Sequence, residues 1–474
     1  MIPRRIHRIL NVILACCVFG FLVIFIKIPS AVEKHADDTA PVLTEKEWQV
    51  INQETSKNTK IPYESPANST IANWKFKSPD RSGSISGADI VENLKLLNEN
   101  FDVLNIDKFG GLENVERVLV VQVHNRPNYL EVIIDSMRKT VGIEKTLLVF
   151  SHDINVAPIN EMIRNITFAR VYQIFYPYNN QLFPDVFPGN NPRDCKEKMS
   201  EAAAEEAGCD NWKQHDKYGN YRLVQLTQIK HHWWWKMNFV IDGIVEKFKM
   251  PNPWILLLEE DHMLSPDALH VLDLIVDNKV TYCPTCEIIT LGIYLKTNSK
   301  YGKDIANLGV HPWYASKHNM GWALQKDTWN KIKGCASMFC NWDDYNWDWS
   351  VLQVTAKCLP ARFKTIFAKS PRVFHIGDCG VHTHRCEVHR ALEATIQLFE
   401  QNKNELFPKA MTVTDVSRRS LKPPKENGGW GDQRDRDLCM LNVSPLSKIA
   451  ASNYSTVLMP LLNSKVRLDS DDGL

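Results

Sequence analysis

The chain has 474 residues, and its 56 Lys and Arg residues are balanced by 55 Asp and Glu residues, so its formal net charge is +1. This balance leaves no basic excess to hold nucleic acid, and we expect no nucleic-acid partner. Hydrophobic residues make up 44% of the chain and charged residues 23%, which excludes a mostly disordered protein and a membrane protein with many spans.

The first apolar run predicts one membrane anchor. Ile9–Ile26 is apolar apart from Asn11, and a helix of this length reaches about 27 Å, enough to cross a thin hydrocarbon layer. Three arginines lie in residues 1–8, so the positive-inside rule places that segment in the cytosol and the rest of the chain in a lumen. A cleaved signal peptide is the alternative, but the run is long and no small-residue cleavage site follows it. We therefore assign residues 9–29 to an uncleaved signal anchor.

Cysteine usage fits an oxidising lumen. Two cysteines lie inside the apolar run, and the other ten lie between Cys195 and Cys439, an even number that allows five disulfides. A sequon at Asn442 is doubtful because Pro445 follows its serine. The other sequons agree with a lumenal location and mark three candidate N-glycosylation sites, Asn68, Asn165 and Asn453.

Composition divides the lumenal part into three segments. Residues 30–86 are polar and show no sustained apolar period, as expected of a solvated stem. Between Gly87 and Lys108, apolar residues recur every three or four positions and predict an amphipathic helix at the start of a folded domain. We place this domain at residues 87–445 and a polar C-terminal tail at residues 446–474.

A parallel βαβ unit is predicted at the start of the folded domain. Val118–Val123 has the apolar pattern of a buried strand and leads through the turn His124-Asn-Arg-Pro127 into an amphipathic helix. Thr146–Phe150 is predicted to be the next strand, parallel to the first and joined to it by a right-handed crossover. Val171–Tyr176 is predicted to be a third strand.

A long helix and a further strand follow. The helical pattern runs from Arg222 to Lys249, and two prolines end it before the strand Trp254–Leu258. Ser265 and Pro266 have the residue types of an N-cap and a first helical position, so we expect the next helix to begin there. Ligands of open α/β sheets bind beyond the carboxyl ends of the strands, and acidic residues follow this strand at that point.

These acidic residues, Glu259-Glu-Asp261, are a candidate cation site. In an extended segment Glu259 and Asp261 face one side while Glu260 faces away. Divalent cations such as Mg²⁺ and Mn²⁺ favour oxygen ligands and keep positions open for diphosphate oxygens. A solvated acidic turn is the alternative. His375 is a candidate imidazole ligand for the same ion, or else a buried histidine whose hydrogen bonds are satisfied.

Two cysteine motifs have alternatives to a disulfide. Histidines near Cys386 suggest zinc, but in an oxidising compartment we interpret Cys379 and Cys386 as bridged. Cys283-Pro-Thr-Cys286 has the spacing of a thiol oxidoreductase motif. It does not begin a helix that would lower the pKa of a thiol, so a small structural disulfide is favoured.

Two aromatic segments are candidate ligand contacts. Asn341–Trp349 combines three aspartates with three tryptophans, a mixture that suits carbohydrate, and one of its carboxylates could act as a general base. Acidic residues that cap a turn beside core tryptophans are the alternative. For His231–Trp235 core packing is favoured, although Gln228 and His232 share a helix face and could contact a nucleotide or a sugar.

Together the motifs resemble the N-acetylglucosaminyltransferase II family. The similarity spans about Val118 to Cys439, and several of the shared blocks are long and unusual in composition. The blocks are Val121-Gln-Val-His-Asn-Arg-Pro127, Phe150-Ser-His-Asp153, Lys230-His-His-Trp-Trp-Trp-Lys236, Leu258-Glu-Glu-Asp-His262, His318-Asn-Met-Gly321, Asp343-Asp-Tyr-Asn-Trp-Asp-Trp349, Phe374-His-Ile-Gly-Asp-Cys-Gly380 and Asn427-Gly-Gly-Trp-Gly-Asp432.

The resemblance implies an α/β fold, namely the glycosyltransferase A fold with a Rossmann-like nucleotide-binding half, preceded by a single transmembrane helix and a stem. It implies an inverting enzyme, single-pass type II in the Golgi membrane, with Mn²⁺ as cofactor. The reaction would move GlcNAc from UDP-GlcNAc to O2 of the α-1,6-arm mannose of an N-glycan on a glycoprotein. A lumenal glycan-binding protein that keeps the fold without catalysis is the alternative. The sequence leaves open whether two copies form a homodimer.

The resemblance also implies roles for single residues. Asp348 would be the catalytic base, Asp261 and His375 would bind Mn²⁺, and Asn319 and Trp347 would bind the acceptor. The donor site would comprise Gln122, Val123, His124, Asn125, Arg126, Asp153, Gln228, Ile229, Lys230, His231, His232 and Glu259. The disulfides would pair Cys195 with Cys209, Cys283 with Cys286, Cys335 with Cys358, Cys340 with Cys439, and Cys379 with Cys386. The Leu295–Lys300 and Cys386–Arg390 segments depart from the family pattern.

Overall fold

The structure, a computed structural model, describes residues 77–78, 84–295, 298–377, 388–446 and 455–467. The predicted anchor, almost all of the predicted stem and the sequon at Asn68 lie outside the described residues. So do Cys379, Cys386 and Asn453. Among the helices that are described, none combines the length and the apolar character needed to cross a membrane.

The regular elements alternate between strands and helices along the chain. The strands are β1 (Ser84–Ser86), β2 (Arg117–Val123), β3 (Leu147–His152), β4 (Arg170–Phe175), β5 (Trp254–Glu259), β6 (His262–Leu264), β7 (Ile288–Gly292), β8 (Asn307–Pro312), β9 (Met320–Leu324), β10 (Lys364–Ala368), β11 (Val373–His375), β12 (Thr412–Val416) and β13 (Lys465–Arg467). The helices are α1 (Gly87–Asn100), α2 (Ile106–Phe109), α3 (Pro127–Lys139), α4 (Ala157–Arg164), α5 (Glu201–Ala207), α6 (Val224–Phe239), α7 (Ala268–Asp277), α8 (Lys279–Tyr282), α9 (Ala315–His318), α10 (Lys326–Gly334), α11 (Ala336–Asn341), α12 (Trp347–Lys357), α13 (Val388–Gln401), α14 (Gln433–Leu441) and α15 (Ser455–Leu462).

A mixed sheet lies at the centre of the fold. Within the described residues nine strands form this sheet in the order β12-β8-β10-β7-β9-β5-β2-β3-β4. The run β5-β2-β3-β4 is parallel, which confirms the predicted parallel pairing of β2 with β3 and the prediction of β4 as a third strand. β9 is antiparallel to both β5 and β7, so it separates the parallel run from the other half of the sheet. The carboxyl ends of β2, β3 and β5 therefore meet at one edge.

Helices cover both faces of the sheet, which explains the apolar pattern of its central strands. In β2, Val118 and Val120 belong to one hydrophobic core, whereas Leu119 and Val121 belong to the other. The first core includes side chains of α1, α6 and α12, and the second includes side chains of α3, α4 and α7. A strand buried on both faces carries an unbroken apolar run instead of an alternating one.

Two predicted helix boundaries differ from the structure. The helix predicted to begin at Ser265 and Pro266 begins at Ala268, with Asp267 at the N-cap position. The reason is that the Ser265 hydroxyl donates to the Asp267 carboxylate, while that carboxylate also binds the buried guanidinium of Arg372. The helix predicted from Arg222 is α-helical only to Phe239 and continues as a π-helix over Val240–Glu246.

Four of the predicted disulfides fall within the described residues, and the structure contains all four. They pair Cys195 with Cys209, Cys283 with Cys286, Cys335 with Cys358, and Cys340 with Cys439. Cys283 and Cys286 of the CxxC motif are both buried, as expected of a structural disulfide. Asn165 is exposed, but Asn442 is buried and its amide contacts the Tyr176 hydroxyl, so its doubtful sequon is not available in the folded protein.

The buried pair Arg222 and Asp435 gives a stability prediction. Their side chains are 1% and 0% exposed, and the guanidinium binds both carboxylate oxygens at 2.9 Å. Arg222→Met would leave the Asp435 charge buried without its cationic partner and with only the contact to His231, so we expect the free energy of unfolding to fall by about 3–5 kcal/mol in urea denaturation. The control is Arg117→Met, whose partner Asp273 is 51% exposed and for which we expect a loss of about 1 kcal/mol or less. Equal losses in the two variants would contradict this prediction.

Candidate functional site

Two short strands bring the predicted metal ligands together. β5 ends at Glu259, and after a tight turn β6 pairs antiparallel with β11, with His262 opposite His375. The backbone N–H of Ile376 donates to the Asp261 carbonyl at 2.9 Å, which extends this pairing by one step. The Nε2 atom of His375 therefore lies 3.3 Å from Oδ2 of Asp261.

The backbone at Gly377 also approaches Asp261 closely. A Cβ atom on Gly377 would lie 2.3 Å from Oδ2 of Asp261, so a larger residue at this position would displace the carboxylate. The glycine of the Phe374-His-Ile-Gly motif thus has a packing role beside the candidate metal site.

The donor atoms around Asp261 fit a divalent cation. Ligand atoms of Glu259, Asp261 and His262 all lie within 4.8 Å of one another. Oδ1 of Asp261 is buried and has no hydrogen-bond partner in the described structure, so a carboxylate oxygen is available at the centre of the group. Two carboxylates and imidazole nitrogens suit Mn²⁺ and Mg²⁺ better than they suit a soft metal. His262 was not among the predicted ligands, although its position next to Asp261 was a signal for it.

Glu260 and Arg126 stabilise the turn beside this group. Glu260 and Asp261 lie in a turn instead of the predicted extended segment, and the Glu260 carboxylate accepts the backbone N–H of His124 at 2.8 Å. Arg126 bridges Glu260 at 2.5 Å and Oδ2 of Asp261 at 2.8 Å. Burial alone would raise the pKa of Asp261, but the hydrogen bond with His375 and the charge of Arg126 outweigh burial and hold this pKa well below its usual range. Asp261 is therefore ionised at neutral pH.

Three of the predicted donor-site residues form a hydrogen-bonded cluster at the carboxyl ends of β2 and β3, and a fourth, His232, lies beside them. The two oxygens of Asp153 contact Nδ1 of His124 at 2.7 Å and Nε2 of Gln228 at 3.0 Å. Nδ1 of His232 lies 3.9 Å from Asp153, and Nε2 of His232 lies 2.7 Å from the Ser151 hydroxyl. Burial lowers the pKa of His232 to about 3, so this ring is neutral.

The remaining predicted donor residues have different surroundings. Asn125 is exposed in the loop after β2, whereas Val123 is buried at the end of that strand. The amide oxygen of Gln122 accepts from the buried ammonium of Lys236 at 2.6 Å. Lys236, which the sequence did not single out, also interacts electrostatically with Glu259 and so offsets part of the negative charge of Glu259 and Asp261.

The block Gln228–His232 does not act as one contact surface. Gln228 and His232 face Asp153, as their i, i+4 spacing predicted, and Ile229 packs against the hydrophobic core. Lys230 and His231 lie on other sides of α6. The Lys230 ammonium binds backbone carbonyls of the Asn341–Trp349 segment, and His231 is 3.0 Å from Asp435. The structure therefore brings only two of these five residues to the Asp153 cluster.

Asp348 lies in the first turn of α12 and is 8% exposed. The backbone N–H of Trp349 donates to Oδ1 at 2.9 Å and the Asn319 amide donates to Oδ2 at 3.1 Å. The amide oxygen of Asn319 is buried without a partner in the described structure, so it can accept a hydrogen bond from a substrate hydroxyl beside Asp348. Trp347 is mostly buried, and its ring stacks on Trp233 at 4.2 Å, which commits most of it to the core.

Tyr294 connects the two halves of the site and was missed by the sequence reasoning. It follows β7, its side chain is largely exposed, and it interacts electrostatically with Glu259, Asp261 and Asp348. Its ring centroid lies 6.3 Å from that of His375. Asp348 also interacts electrostatically with Glu259, so the candidate base lies near the candidate metal ligands. Tyr294 could have been identified from its position just after the carboxyl end of β7, where ligands of open α/β sheets bind.

Comparison with solved structures gives only remote similarity. A mannosyltransferase from Pyrobaculum calidifontis in complex with GDP-Man and Mn²⁺ matches with a TM-score of 0.29 and 10% sequence identity, over 73% of this chain and 78% of the other. A TM-score this low supports no inference about this chain.

Comparison with known sequences gives much closer matches. The model of the family "N-acetylglucosaminyltransferase II (MGAT2)" matches residues 91–439. The α-1,6-mannosyl-glycoprotein 2-β-N-acetylglucosaminyltransferase of Rattus norvegicus is 43% identical over 345 residues, which cover 72% of this chain and 77% of the relative. The human protein of the same name is 42% identical over 347 residues, or 72% of this chain and 76% of that protein. Because the family match covers most of the folded domain, the chain belongs to the N-acetylglucosaminyltransferase II family.

Proposed function

We propose that this chain transfers GlcNAc from UDP-GlcNAc to O2 of the α-1,6-arm mannose of an N-glycan, with inversion to a β linkage. Its membership of the family and its relatives' names support the sugar and the linkage. The observation that carries the proposal is the contact of Asp261 with His375 at 3.3 Å, together with the electrostatic interaction of Asp348 with Glu259. A candidate metal-binding group and a candidate base thus lie near each other.

The parallel run β5-β2-β3-β4 supports a Rossmann-like half within a glycosyltransferase A fold. Its strands end at the edge where His124, Asp153, Gln228 and His232 cluster. This is the edge at which open α/β sheets bind nucleotides. In our proposal this cluster, with Gln122 and Arg126, contacts the uridine diphosphate.

Mn²⁺ is the cofactor that we propose, held by Asp261 and His375 with Glu259 and His262 close by. When bound, it would offset the negative charge on the diphosphate leaving group. Arg126 is part of the same arrangement, because its guanidinium pairs with both Glu260 and Asp261 and its side chain is 31% exposed.

Asp348 acts as the general base in this proposal. The donor sugar is α-linked to UDP, so one in-line displacement by the acceptor oxygen gives the β product and needs no nucleophile from the enzyme. The carboxylate of Asp348 takes the proton from the attacking hydroxyl, and Asn319 orients both this carboxylate and the hydroxyl. The buried wall formed by Trp347 and Trp233 limits water beside the carboxylate.

The ionisation of Asp348 predicts the pH dependence of transfer. Burial raises the pKa of Asp348 to about 7, although the hydrogen bond from Trp349 opposes this rise. Because a base acts in its deprotonated form, we expect kcat/KM to rise about tenfold per pH unit below that pKa and to level off above it. Asp348→Asn is the control, and its residual kcat/KM should lack the limb that belongs to this base. An acid limb near pH 4, the usual pKa of an exposed aspartate, would contradict a buried base.

The experiment that tests the proposed function is a transfer assay with product analysis. The purified full chain is incubated with Mn²⁺, UDP-GlcNAc and an N-glycan that already carries GlcNAc on its α-1,3 arm. We expect one added GlcNAc by mass, and linkage analysis should locate it at O2 of the α-1,6-arm mannose in β configuration. No added sugar, or an added sugar at another position, would contradict the proposal.

We also propose a type II topology in the Golgi membrane, with residues 9–29 as the anchor and residues 30–86 as a stem ahead of the catalytic domain at 87–445. The charge pattern of the first residues and the disulfides of the folded domain support a lumenal location. Protease treatment of sealed microsomes tests this topology: the catalytic domain should be protected until detergent is added. Cleavage without detergent would contradict it.

A further inference from the structure

Lys230 is buried in the interior of the protein and has no role in the proposed transfer reaction. Its side chain is fully buried on α6, and burial lowers its pKa to about 7. Its Nζ atom lies 2.8 Å from the Asp344 carbonyl and 3.3 Å from the Trp342 carbonyl. The same atom lies 4.2 Å from the centre of the Trp430 ring. Burying an amine is costly unless hydrogen bonds compensate for the water that it loses, and these two carbonyls provide such bonds.

The two carbonyls belong to the segment Asn341–Asn346, which leads directly into the helix that carries Asp348. The Asp344 carbonyl also accepts the hydroxyl of Ser350 at 3.3 Å, and Ser350 lies two residues beyond Asp348 on α12. Lys230 and the first turn of α12 therefore share one acceptor. One turn further along α6, Trp233 stacks on Trp347, the residue before Asp348.

The Asn427–Asp432 motif holds the other side of the segment. The buried Asp344 carboxylate accepts the backbone N–H and the side-chain amide of Asn427, both at 3.0 Å. It also accepts the backbone N–H of Asn346 at 2.9 Å. Asp343 accepts the backbone N–H of Trp430 at 3.0 Å. The segment is thus held between α6 on one side and this motif on the other.

We propose that Lys230 is a positioning residue for Asp348: its ammonium group fixes the Asn341–Asn346 segment and thereby the first turn of α12. The inference rests on the proposed role of Asp348 as the base. It differs from a donor contact, because the ammonium donates to the Trp342 and Asp344 carbonyls and is fully buried.

The test compares Lys230→Met with wild type and with Lys357→Met. Methionine keeps the length of the side chain and removes its donors. Lys357 is an exposed lysine whose Nζ atom lies 4.5 Å from the Trp342 ring, so its replacement controls for loss of a cation near the same segment. For Lys230→Met we expect kcat to fall by about 10- to 100-fold, because small displacements of a catalytic group have effects of this size. The Kd for UDP with Mn²⁺ should stay within about twofold of wild type.

A double-mutant cycle separates positioning from general damage. If Lys230 acts through Asp348, then adding Lys230→Met to Asp348→Asn should change the residual kcat by less than about threefold. Multiplying losses would overturn the proposal, because they would show an effect independent of the base. A weaker Kd for UDP with unchanged kcat would overturn it in favour of a donor contact.

Asn427→Ala covers the case in which Lys230→Met does not fold. Asn427 is exposed, so its truncation is tolerated, yet it removes one of the hydrogen bonds that hold Asp344 from the opposite side. We expect the same pattern with a smaller fall in kcat. Suppose that wild type transfers GlcNAc, and that the kcat of Asn427→Ala and of every folded Lys230 variant equals that of Lys357→Met. The positioning role is then wrong, while the proposed function stands. If wild type does not transfer GlcNAc, the proposed function itself is wrong.

Discussion

Asp348→Asn is expected to lower kcat for GlcNAc transfer by about 10² to 10⁴, the usual contribution of a positioned general base. Asparagine has almost the size of aspartate and can still accept the Trp349 N–H, so the surroundings of the side chain should change little. It cannot take the proton of the attacking hydroxyl. The measurement is kcat at saturating donor and acceptor, with product formation followed by mass.

Two controls distinguish loss of the base from loss of the site. The Kd for UDP in the presence of Mn²⁺ should remain within about twofold of wild type, since Asp348 is bound to Asn319 and Trp349 and not to the Asp153 cluster. The acid limb of the pH profile should also disappear from the residual activity. Wild-type turnover in Asp348→Asn would remove this residue from the role of base.

The second large effect is expected for Asp261→Asn. Asp261 supplies the buried carboxylate oxygen that has no partner within the described structure, and it also contacts His375 and Arg126. Loss of this charged ligand should weaken Mn²⁺ binding by at least about tenfold, and transfer should fall by about 10³ or more because a metal ion contributes several kcal/mol to such reactions. Isothermal titration with Mn²⁺ measures the first effect, and the transfer assay measures the second.

Asp273→Asn is a suitable control for the loss of one acidic residue. Asp273 is half exposed on α7 and pairs with Arg117 on the surface, so its replacement should leave Mn²⁺ affinity unchanged. Equal Mn²⁺ affinity in Asp261→Asn and Asp273→Asn would show that the ion binds elsewhere.

The parallel half of the sheet was predictable because its strands are buried on both faces. Trp254–Leu258 is an unbroken apolar run and Val118–Val123 is apolar apart from Gln122, and the structure confirms both as central strands. The start of α7 was not predictable from cap residues alone. Ser265 has the right chemistry for an N-cap, but the buried ion pair of Asp267 with Arg372, more than a hundred residues away, sets where the helix begins.

The parts of the candidate site that consist of residues close together in the sequence were predictable. The parts that depend on contacts between residues far apart in the sequence were not. The i, i+4 spacing of Gln228 and His232 correctly predicted a shared face toward one site. The β6–β11 pairing places His262 opposite His375, but strands of three residues carry no readable pattern. Lys236 contributes to the site because its buried ammonium donates to Gln122. A single lysine in an aromatic-rich helix does not indicate such a contact.

The most direct test of the account is a titration of UDP into the full chain with Mn²⁺ and with a chelator, repeated in His375→Ala. If Asp261 and His375 hold the cation that binds the diphosphate, UDP should bind wild type with Mn²⁺. The Kd should rise by at least about tenfold both with the chelator and in the variant. UDP binding of equal strength under all these conditions would contradict the account.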